Sequence, residues 1–190
     1  MDTLLQNQET LHTDAVALLE ETLLPLLSKY GKVEVNGSYT YKLLYHPDID
    51  LYIINNNLTK ENYVSLCAEL LSLDRVSKIR TGDRVNFPQD AGNGRPTGYW
   101  VSPTIHTADH TWSCDIWMQK PEWVNPKIYR YDNVLANLPD EQRLAILTLK
   151  QELITAGRYG VGKEFESVNI YDAVLTNTDL SLDELRKLFN

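Results

Sequence analysis

Apolar residues recur at helical spacing near the start of the chain, between residues 13 and 30. Gly31 follows this stretch, and glycine is common immediately after the C-terminus of a helix. Pro25 lies inside the pattern. Because proline lacks a backbone N–H and clashes with the preceding turn, it should kink or divide the helix. We predict a helix over residues 13–30 that is interrupted near Pro25.

The next stretches alternate in the manner of β-strands. Asp48–Ile54 (DIDLYII) is rich in β-branched and aromatic residues and is followed by three asparagines, which favours a strand that ends there. A shorter strand is predicted over residues 32–35. Residues 38–45 between them are predicted to form about two helical turns. His46-Pro47 then ends these turns, because the residue before a proline is displaced from helical geometry.

The middle of the chain predicts one helix followed by several strands. Thr59 can cap a helix that continues to about residue 73. The predicted buried face of this helix comprises Val64, Cys67, Leu70 and Leu71. Strands are predicted over residues 76–80, 84–87, 99–105 and 111–118, with a Gly/Pro/Asn-rich loop at 90–98. The last two strands flank a turn-like segment, so we predict an antiparallel hairpin.

From residue 121 onwards the pattern is helical. Pro139 followed by two acidic residues favours a helix start, and apolar positions extend that helix to Gly157. A second helix is predicted over residues 164–175, and the capping-box spacing at Ser181 predicts a third. The predicted fold is α+β. A mixed β-sheet flanked by helices occupies residues 1–120 and a helical C-terminal subdomain occupies residues 121–190.

Composition and charge narrow the possible partners. The chain has 190 residues, no apolar run long enough for a membrane span, and no signal-peptide pattern at its start, so we expect a cytoplasmic protein. The net charge is −8, and the 18 Lys and Arg residues are scattered along the sequence. Because nucleic-acid binding normally requires a basic surface, this distribution argues against a long nucleic acid as partner. Cys67 and Cys114 are predicted to be reduced and buried.

The first candidate for chemistry is an aspartate pair at the start of the second strand. Residues i and i+2 of a strand point to the same side, so Asp48 and Asp50 share one face while Ile49 and Leu51 occupy the apolar one. Two adjacent carboxylates repel each other, and a divalent cation that takes oxygen ligands relieves this repulsion. A solvent-facing pair with no ligand is the alternative interpretation of the same pattern.

Two further segments favour the ligand interpretation. Gly37-Ser38 follows a predicted strand and precedes a predicted helix, an arrangement in which the backbone can approach a phosphate closely. Asp115 lies in the middle of a strand whose neighbours are apolar and aromatic. An isolated carboxylate at such a position is costly unless something pairs with it, and a metal ion would supply that partner.

In this order along the chain, VNGS (35–38), DIDL (48–51) and CDI (114–116) resemble the motifs of the DNA polymerase β-like nucleotidyltransferase superfamily. The resemblance covers about residues 30–118 and implies that Gly37 and Ser38 bind the phosphates of a nucleotide. It also implies that Asp48, Asp50 and Asp115 are the catalytic metal ligands and hold two Mg²⁺ (or Mn²⁺) ions. Asp115 would in addition assist deprotonation of the acceptor hydroxyl. The stretch between Ser38 and Asp48 is slightly short for the family.

The resulting hypothesis is a metal-dependent nucleotidyltransferase that moves an NMP from an NTP, with ATP as one candidate, to a hydroxyl-bearing small molecule or protein. The alternative is a non-catalytic module that keeps the fold in order to bind a nucleotide or a protein partner. The complete set of three carboxylates favours the enzyme. The sequence leaves the NTP, the acceptor and the oligomeric state open.

Several other residues carry a weaker signal. Arg80, Arg84 and Arg95 could contact phosphates, but exposed residues that serve solubility are the more common case. The hairpin tryptophans, Trp100, Trp112 and Trp117, are predicted to be core residues rather than base-stacking ones. His106 and His110 are predicted to be solvated in a turn. The segment at 157–164 is close to a phosphate-binding loop pattern, but it follows a predicted helix instead of a strand.

Overall fold

A computed structural model describes residues 3–88, 96–135, 137–160 and 162–189. Its sheet has five strands in the order β1-β2-β5-β4-β3. The strands are β1 (Lys32–Asn36), β2 (Asp48–Ile54), β3 (Val76–Asp83), β4 (Tyr99–His106) and β5 (Thr111–Gln119). β2 and β5 are parallel, whereas the other neighbouring pairs are antiparallel. The sheet is therefore mixed, and with the flanking helices it confirms the predicted α+β class and the β4–β5 hairpin.

Helices occupy both ends of the described chain and one crossover between strands. They are α1 (Thr3–Leu18), α2 (Leu24–Leu27), α3 (Lys60–Leu71), α4 (Asp132–Leu135), α5 (Asp140–Thr155), α6 (Ser167–Thr176) and α7 (Leu182–Lys187). A π-helical segment, Leu19–Leu23, joins α1 to α2, and 3₁₀ turns lie at Pro121–Trp123 and Pro126–Tyr129. None of the helices in the described ranges combines the length and the apolar character that a membrane span requires.

The first helix is divided next to Pro25, as predicted, but it begins about ten residues earlier than the sequence indicated. The division takes the form of a π-helical turn in which the Leu24 N–H donates to the carbonyl of Leu19, five residues before it. This wider turn precedes the proline, which has no N–H to donate. The earlier start is stabilised by Leu11, which is buried in the main core and extends the apolar stripe towards the N-terminus.

The prediction of two helical turns over residues 38–45 was wrong. The Leu43 N–H reaches back to the carbonyl of Ser38, and Lys42 has a φ of 54°, which lies in the left-handed region. A regular helix cannot continue through such a residue. The resulting loop contributes side chains to two hydrophobic clusters. Tyr41 and Leu43 pack among the C-terminal helices, whereas Leu44 packs against the sheet.

Helix α3 begins where Thr59 predicted it, with a capping box between Thr59 and Asn62. The predicted buried face was partly wrong, because Val64 and Leu71 are 56% and 59% exposed. The buried face instead comprises Tyr63, Leu66 and Leu70. The buried face therefore differs from the predicted one, and Tyr63 on this face stacks on Tyr99 of β4 with 4.8 Å between the ring centroids.

The strand predicted over residues 84–87 does not form, and β3 instead extends to Asp83. The Asp83 carboxylate accepts a hydrogen bond from the backbone N–H of Asn86, at 3.0 Å. This local bond favours a turn over a further strand. Most of the Gly/Pro/Asn-rich loop at 90–98 lies outside the described residues.

Two hydrophobic clusters fill the protein. The larger one lies on the apolar face of the sheet, against the N-terminal helices and α3. The smaller one lies among α4–α7 and also contains Tyr41 and Leu43 from the loop after β1. That loop therefore joins the sheet to the helical region. The boundary at residue 120 stays a prediction.

Candidate active site

The parallel pairing of β2 with β5 brings the predicted carboxylates together. Asp50 is the register partner of Asp115, and Asp48 is the register partner of Ser113. Ile49 and Leu51 point the other way and are fully buried in the main core. The alternation predicted for β2 is thus observed, and it concentrates three carboxylates on one face of adjacent strands.

Crowding and burial disfavour the ionised forms of these carboxylates. Burial first, and then the negative charge of Asp115, raises the pKa of Asp48 to about 6. Burial, followed by the charges of Asp48 and Asp115, raises the pKa of Asp50 to about 8. Both shifts mean that the ionised carboxylates lack sufficient compensating charge within the protein.

The residues present fit a hard divalent cation. The Oδ1 atom of Asp115 is buried and has no hydrogen-bond partner within the described part of the chain. Carboxylate oxygens are the ligands that Mg²⁺ prefers, and a cation beside Asp50 and Asp115 would offset their repulsion. Among the described residues, no three His, Cys, Asp or Glu side chains already converge on one point as a metal site. The carboxylates are therefore neighbours that a cation could bring together.

Gly37 is the residue that lets the backbone lie against this cluster. It follows β1, where Asn36 is the register partner of Asp50, and its φ is 73°. A Cβ atom at this position would overlap Oδ2 of Asp50. Glycine is thus required here for two reasons, a left-handed backbone and contact with a carboxylate.

The next residue, Ser38, is held by a lysine that the sequence prediction missed. Lys150 of α5 is only 1% exposed. Its Nζ donates to Ser38 Oγ (3.1 Å), to the carbonyl oxygen of Leu43 (2.9 Å) and to the hydroxyl of Tyr171 (2.9 Å). These contacts link the loop after β1 directly to the helical region.

Lys150 retains its charge despite its burial. Burial by itself lowers the pKa of a lysine, but the surrounding tyrosines and Asp50 outweigh it and raise the pKa of Lys150. A signal for this residue was present in the sequence. Lys150 occupies the same helical stripe as Ile146, Leu147 and Leu153, all of which are buried. A lysine within an apolar stripe needs a specific partner.

A cleft opens beside these groups and consists of two adjoining cavities, of about 420 and 320 Å³. Ser38, Asp50 and residues 166–168 at the start of α6 belong to the walls of both. The larger cavity adds Gly37 and several tyrosines, and the smaller one adds Asp48 and Lys150. Asp115 lies beside Asp50 in the sheet but is not part of the lining of either cavity. The cleft thus has acidic groups on the sheet side and a cation on the helix side.

The weaker sequence candidates lie elsewhere. His106 bonds to Thr111 and Ser77, and His110 lies 2.8 Å from Asp14 of α1. These imidazoles therefore connect the hairpin to its neighbours rather than standing free in solvent. The turn after α5 is closed by an ion pair between Arg158 and Glu164, so the loop-like pattern at 157–164 belongs to a helix terminus. Val161 in that segment lies outside the described residues.

No family model matches the sequence, and no curated protein matches it. Solved structures do match. A structure of the Cid1 poly(U) polymerase with MgGTP bound has a TM-score of 0.64 at 16% identity, over 88% of this chain and 50% of that one. A cytoplasmic RNA terminal U-transferase has a TM-score of 0.63 at 15% identity, over 87% and 48%. The GLD-2–GLD-3 noncanonical poly(A) polymerase complex has 0.57 at 14%, over 95% and 60%.

This chain spans about half the length of the solved structures that it matches. At these identities the comparison concerns the fold. It shows that the mixed sheet and its flanking helices are shared with these nucleotide-polymerising enzymes.

Proposed function

We propose that this protein is a nucleotidyltransferase that moves an NMP from a metal-bound NTP to an acceptor hydroxyl. One observation carries the proposal: Asp50 lies directly across from Asp115, on the face that Gly37 and Ser38 border. The similarity in fold to nucleotide-bound polymerase structures supports the same assignment.

The phosphate-binding role belongs to the loop after β1 and to α5. Gly37 has no side chain to obstruct a phosphate, and Ser38 offers a hydroxyl at the wall shared by the two cavities. Lys150 donates to that hydroxyl and supplies a buried positive charge. A cation beside a hydroxyl in a closed cleft is suited to the charge of a triphosphate. Lys150 would thus orient the Ser38 hydroxyl and add a positive charge behind the two residues that the motif implied.

Asp48, Asp50 and Asp115 would hold the divalent cations, and Mg²⁺ is the first candidate because some of the similar structures contain Mg²⁺ nucleotides. The chemistry that bound Mg²⁺ supplies is neutralisation of charge on the phosphates and activation of the attacking hydroxyl. Two ions, as the motif implied, are part of the proposal. Asp115, whose Oδ1 has no hydrogen-bond partner among the described residues, would accept the acceptor's proton.

The acceptor is proposed to be RNA. Two of the similar structures are described as a poly(U) polymerase and an RNA terminal U-transferase, and their acceptor is therefore an RNA end. The sequence had favoured a small molecule or a protein, on the ground that the net charge is −8. Net charge describes the whole surface, however, and it does not exclude a local basic region. The predicted cytoplasmic location is compatible with an RNA acceptor and stays a prediction.

A non-catalytic module that keeps the fold to bind a nucleotide or a partner protein is the second candidate. Both candidates require a nucleotide-sized cleft, so binding alone does not separate them. The unpaired Asp115 oxygen and the raised pKa values of Asp48 and Asp50 favour the enzyme. A pure binding module has no need for three crowded carboxylates that destabilise the fold.

The test has two stages. Thermal unfolding is followed with each of the four NTPs, with and without Mg²⁺ or Mn²⁺, and we expect a rise in midpoint only when metal and nucleotide are both present. Labelled NTP is then incubated with short RNAs that end in a 3′-hydroxyl. Asp50→Asn should reduce transfer by about 10³-fold, since it removes several kcal/mol of charge stabilisation.

Asp74→Asn is the matched control, because Asp74 lies in an exposed turn before β3. It removes the same charge and should leave transfer unchanged. Absence of stabilisation by every metal–nucleotide pair would refute the nucleotide assignment. Stabilisation without transfer, in wild type and variant alike, would favour the binding module.

A further inference from the structure

Beyond the carboxylates, the same face of the sheet carries a layer of arginine and tryptophan side chains. We define the Arg–Trp platform as Arg80, Arg84, Trp100 and Trp117. The Arg84 guanidinium lies over both indoles, at 5.5 Å from the Trp100 centroid and 4.8 Å from the Trp117 centroid. The Arg80 guanidinium lies over Trp100 at 5.5 Å. These contacts hold two positive charges flat against the sheet.

The platform is continuous with the candidate active site. Trp117 is two residues after Asp115 on β5 and therefore faces the same way. Its register partners are Tyr52 of β2 and Trp100 of β4, so the aromatic layer crosses from the centre of the sheet towards its β3 edge. Arg80 is close enough to lower the pKa of Asp48, as a minor contribution beside burial and Asp115. The distance from β2 to β3 is three strand spacings, about 14 Å.

Arg80 is positioned by neutral groups. Arg80 donates to the hydroxyl of Ser102, at 3.1 Å, and stacks on Trp100. Within the described ranges it forms no salt bridge with a carboxylate. A guanidinium stacked on an indole keeps donors in its plane for an anion, in a geometry that suits phosphate. Lys78, two residues before Arg80 on β3, adds a third cation to this side of the strand.

This arrangement changes how the basic residues are interpreted. Lys78, Arg80 and Arg84 look scattered in the sequence, but the period of β3 and the turn after it bring them to one region. The tryptophans were predicted to be core residues. Trp112 is fully buried on the apolar face, and Trp117 is buried beneath Arg84 on the opposite face. Trp100 is only half-buried and faces both arginines. Cations interleaved with aromatic rings are the features by which proteins bind single-stranded nucleic acid.

We propose that the Arg–Trp platform binds the last nucleotides of a single-stranded RNA acceptor and directs its 3′-hydroxyl towards Asp115. The inference rests on the proposed function and adds to it the surface that receives the acceptor. The charges of Arg80 and Arg84 complement the RNA phosphates, and the platform borders the carboxylates where transfer would take place. The nucleotide cleft lies on the other side of Asp50, between the sheet and α5–α6, so RNA and NTP approach the carboxylates from different sides.

The experiment measures binding of a short fluorescent single-stranded RNA by anisotropy, over a range of salt concentrations. The double variant Arg80→Gln/Arg84→Gln should weaken binding at least about tenfold, and the slope of log K against log salt should fall by about 1.4 for two lost phosphate contacts. The control is Lys29→Gln/Arg75→Gln, which removes two charges near the N-terminal helices, where Lys29 pairs with Glu69 and Arg75 donates to Thr22. The control should bind RNA within about twofold of the wild type.

Steady-state kinetics add a second readout. We expect the platform variant to raise KM for RNA and to leave KM for the NTP unchanged. The NTP-dependent thermal shift should also be retained, because Arg80 and Arg84 are not part of the cleft lining. Failure of the proposed function would appear as absence of metal-dependent NMP transfer by the wild type. Failure of the platform proposal would leave wild-type transfer and the thermal shift intact, so the two are distinguishable.

Three outcomes would overturn the proposal. In the first, the wild type does not bind RNA although it is stabilised by metal and NTP. In the second, the platform variant and the control lose affinity equally, which would show a general effect of charge. In the third, single-stranded DNA of the same sequence binds more tightly than RNA, which would remove RNA as the occupant.

Discussion

The two walls of the cleft solve the problem of buried charge in opposite ways. On the helix side, Lys150 donates to three oxygens, and the protein itself supplies all of these partners. On the sheet side, Asp48 and Asp50 have raised pKa values and Asp115 has an orphaned oxygen. We refer to these as the basic wall and the acidic wall.

This difference in partners shows which of the two walls would need a ligand to balance its charge. The basic wall is complete without one, since each Nζ donor has an acceptor. The acidic wall becomes complete only when positive charge arrives. The raised pKa values of Asp48 and Asp50 therefore mark the place where the proposed cation would offset unfavourable charge.

The largest expected effect on stability comes from removing Lys150, the donor of the basic wall. Lys150→Met keeps the length of the side chain but removes the donor that the oxygens of Ser38, Leu43 and Tyr171 share. It also removes the positive charge that lowers the pKa values of Asp48 and Asp50. We expect the free energy of unfolding to fall by about 3 kcal/mol, as measured by urea denaturation.

The control for this substitution is Lys29→Met, because Lys29 forms an exposed ion pair with Glu69. It should leave the denaturation midpoint almost unchanged. A Lys150→Met protein more stable than the wild type would show that burial of the lysine costs more than its three hydrogen bonds return.

The second prediction concerns the contact between the loop after β1 and the acidic wall. Gly37→Ala places a methyl group against Asp50 in a left-handed backbone, and it should cost about 2 kcal/mol of stability. Displacement of Asp50 and Ser38 should lower transfer by about 10²-fold. Both quantities are measurable on one preparation, by thermal unfolding and by incorporation of labelled NMP.

Gly157→Ala is a matched comparison, because Gly157 has a similar φ of 69° and no atom within 4 Å of the position of its Cβ. It should cost only about 1 kcal/mol and leave transfer unchanged. Equal activity losses in the two variants would mean that Gly37 matters for its backbone alone and not for its contact with Asp50.

The third prediction concerns the acidic wall, where a substitution should increase the stability of the protein instead of decreasing it. The pKa of Asp50 is about 8 in the folded protein against an ordinary value of 3.8, so between these values the folded chain binds more protons than the unfolded chain. The stability of the metal-free protein should therefore fall as pH rises from about 4 to 8. Asp50→Asn should remove most of this fall and raise stability at pH 8 by about 1–2 kcal/mol.

Urea denaturation in the presence of a chelator measures this dependence, and added Mg²⁺ should reduce it in the wild type. A wild-type protein whose stability is independent of pH over this range would show that the carboxylates are compensated by the protein itself.

The smallest expected effect comes from removing one hydrogen bond of the basic wall. Tyr171→Phe removes one of three acceptors of Lys150, and it should cost about 1 kcal/mol and raise KM for the NTP a few-fold. Tyr30→Phe removes a hydroxyl that donates to Glu69, remote from the cleft. It should cost a similar amount without any change in KM, and a change in KM for both variants would point to a general loss of rigidity.

Local sequence specified some of these features and not others. The bounds of β2 were predicted correctly, because DIDLYII alternates clearly and is followed by asparagines. The side of the sheet on which Asp48 and Asp50 lie followed from the same alternation. The pairing of Asp50 with Asp115 was implied only by the order of motifs, because no local pattern states which distant strand lies alongside.

The missed features depend on tertiary contacts. Lys150 stood in an apolar stripe, but the oxygens that accept its hydrogen bonds come from the loop after β1 and from α6. The loop at 38–45 was predicted to be helical because its residues permit a helix, and packing of Tyr41 and Leu43 among the C-terminal helices overrode that preference. The stacking of Arg84 on Trp117 requires β3 to pair with β4 as well as β4 with β5, and together these pairings join residues that are distant in sequence.

The single parallel pair in the sheet also governs the order of folding. The chain between β2 and β5 makes α3, β3 and β4 before it returns, so Asp50 and Asp115 meet only after a long loop has closed. Contacts of this kind form late, because the entropy of closing the loop is lost before the strands can pair. During synthesis the β4–β5 hairpin can form locally, but the carboxylate cluster cannot exist until β5 has emerged and has inserted between β4 and β2. The nascent chain therefore acquires the carboxylate cluster that is proposed to bind divalent cations in the same step as β5 joins the sheet.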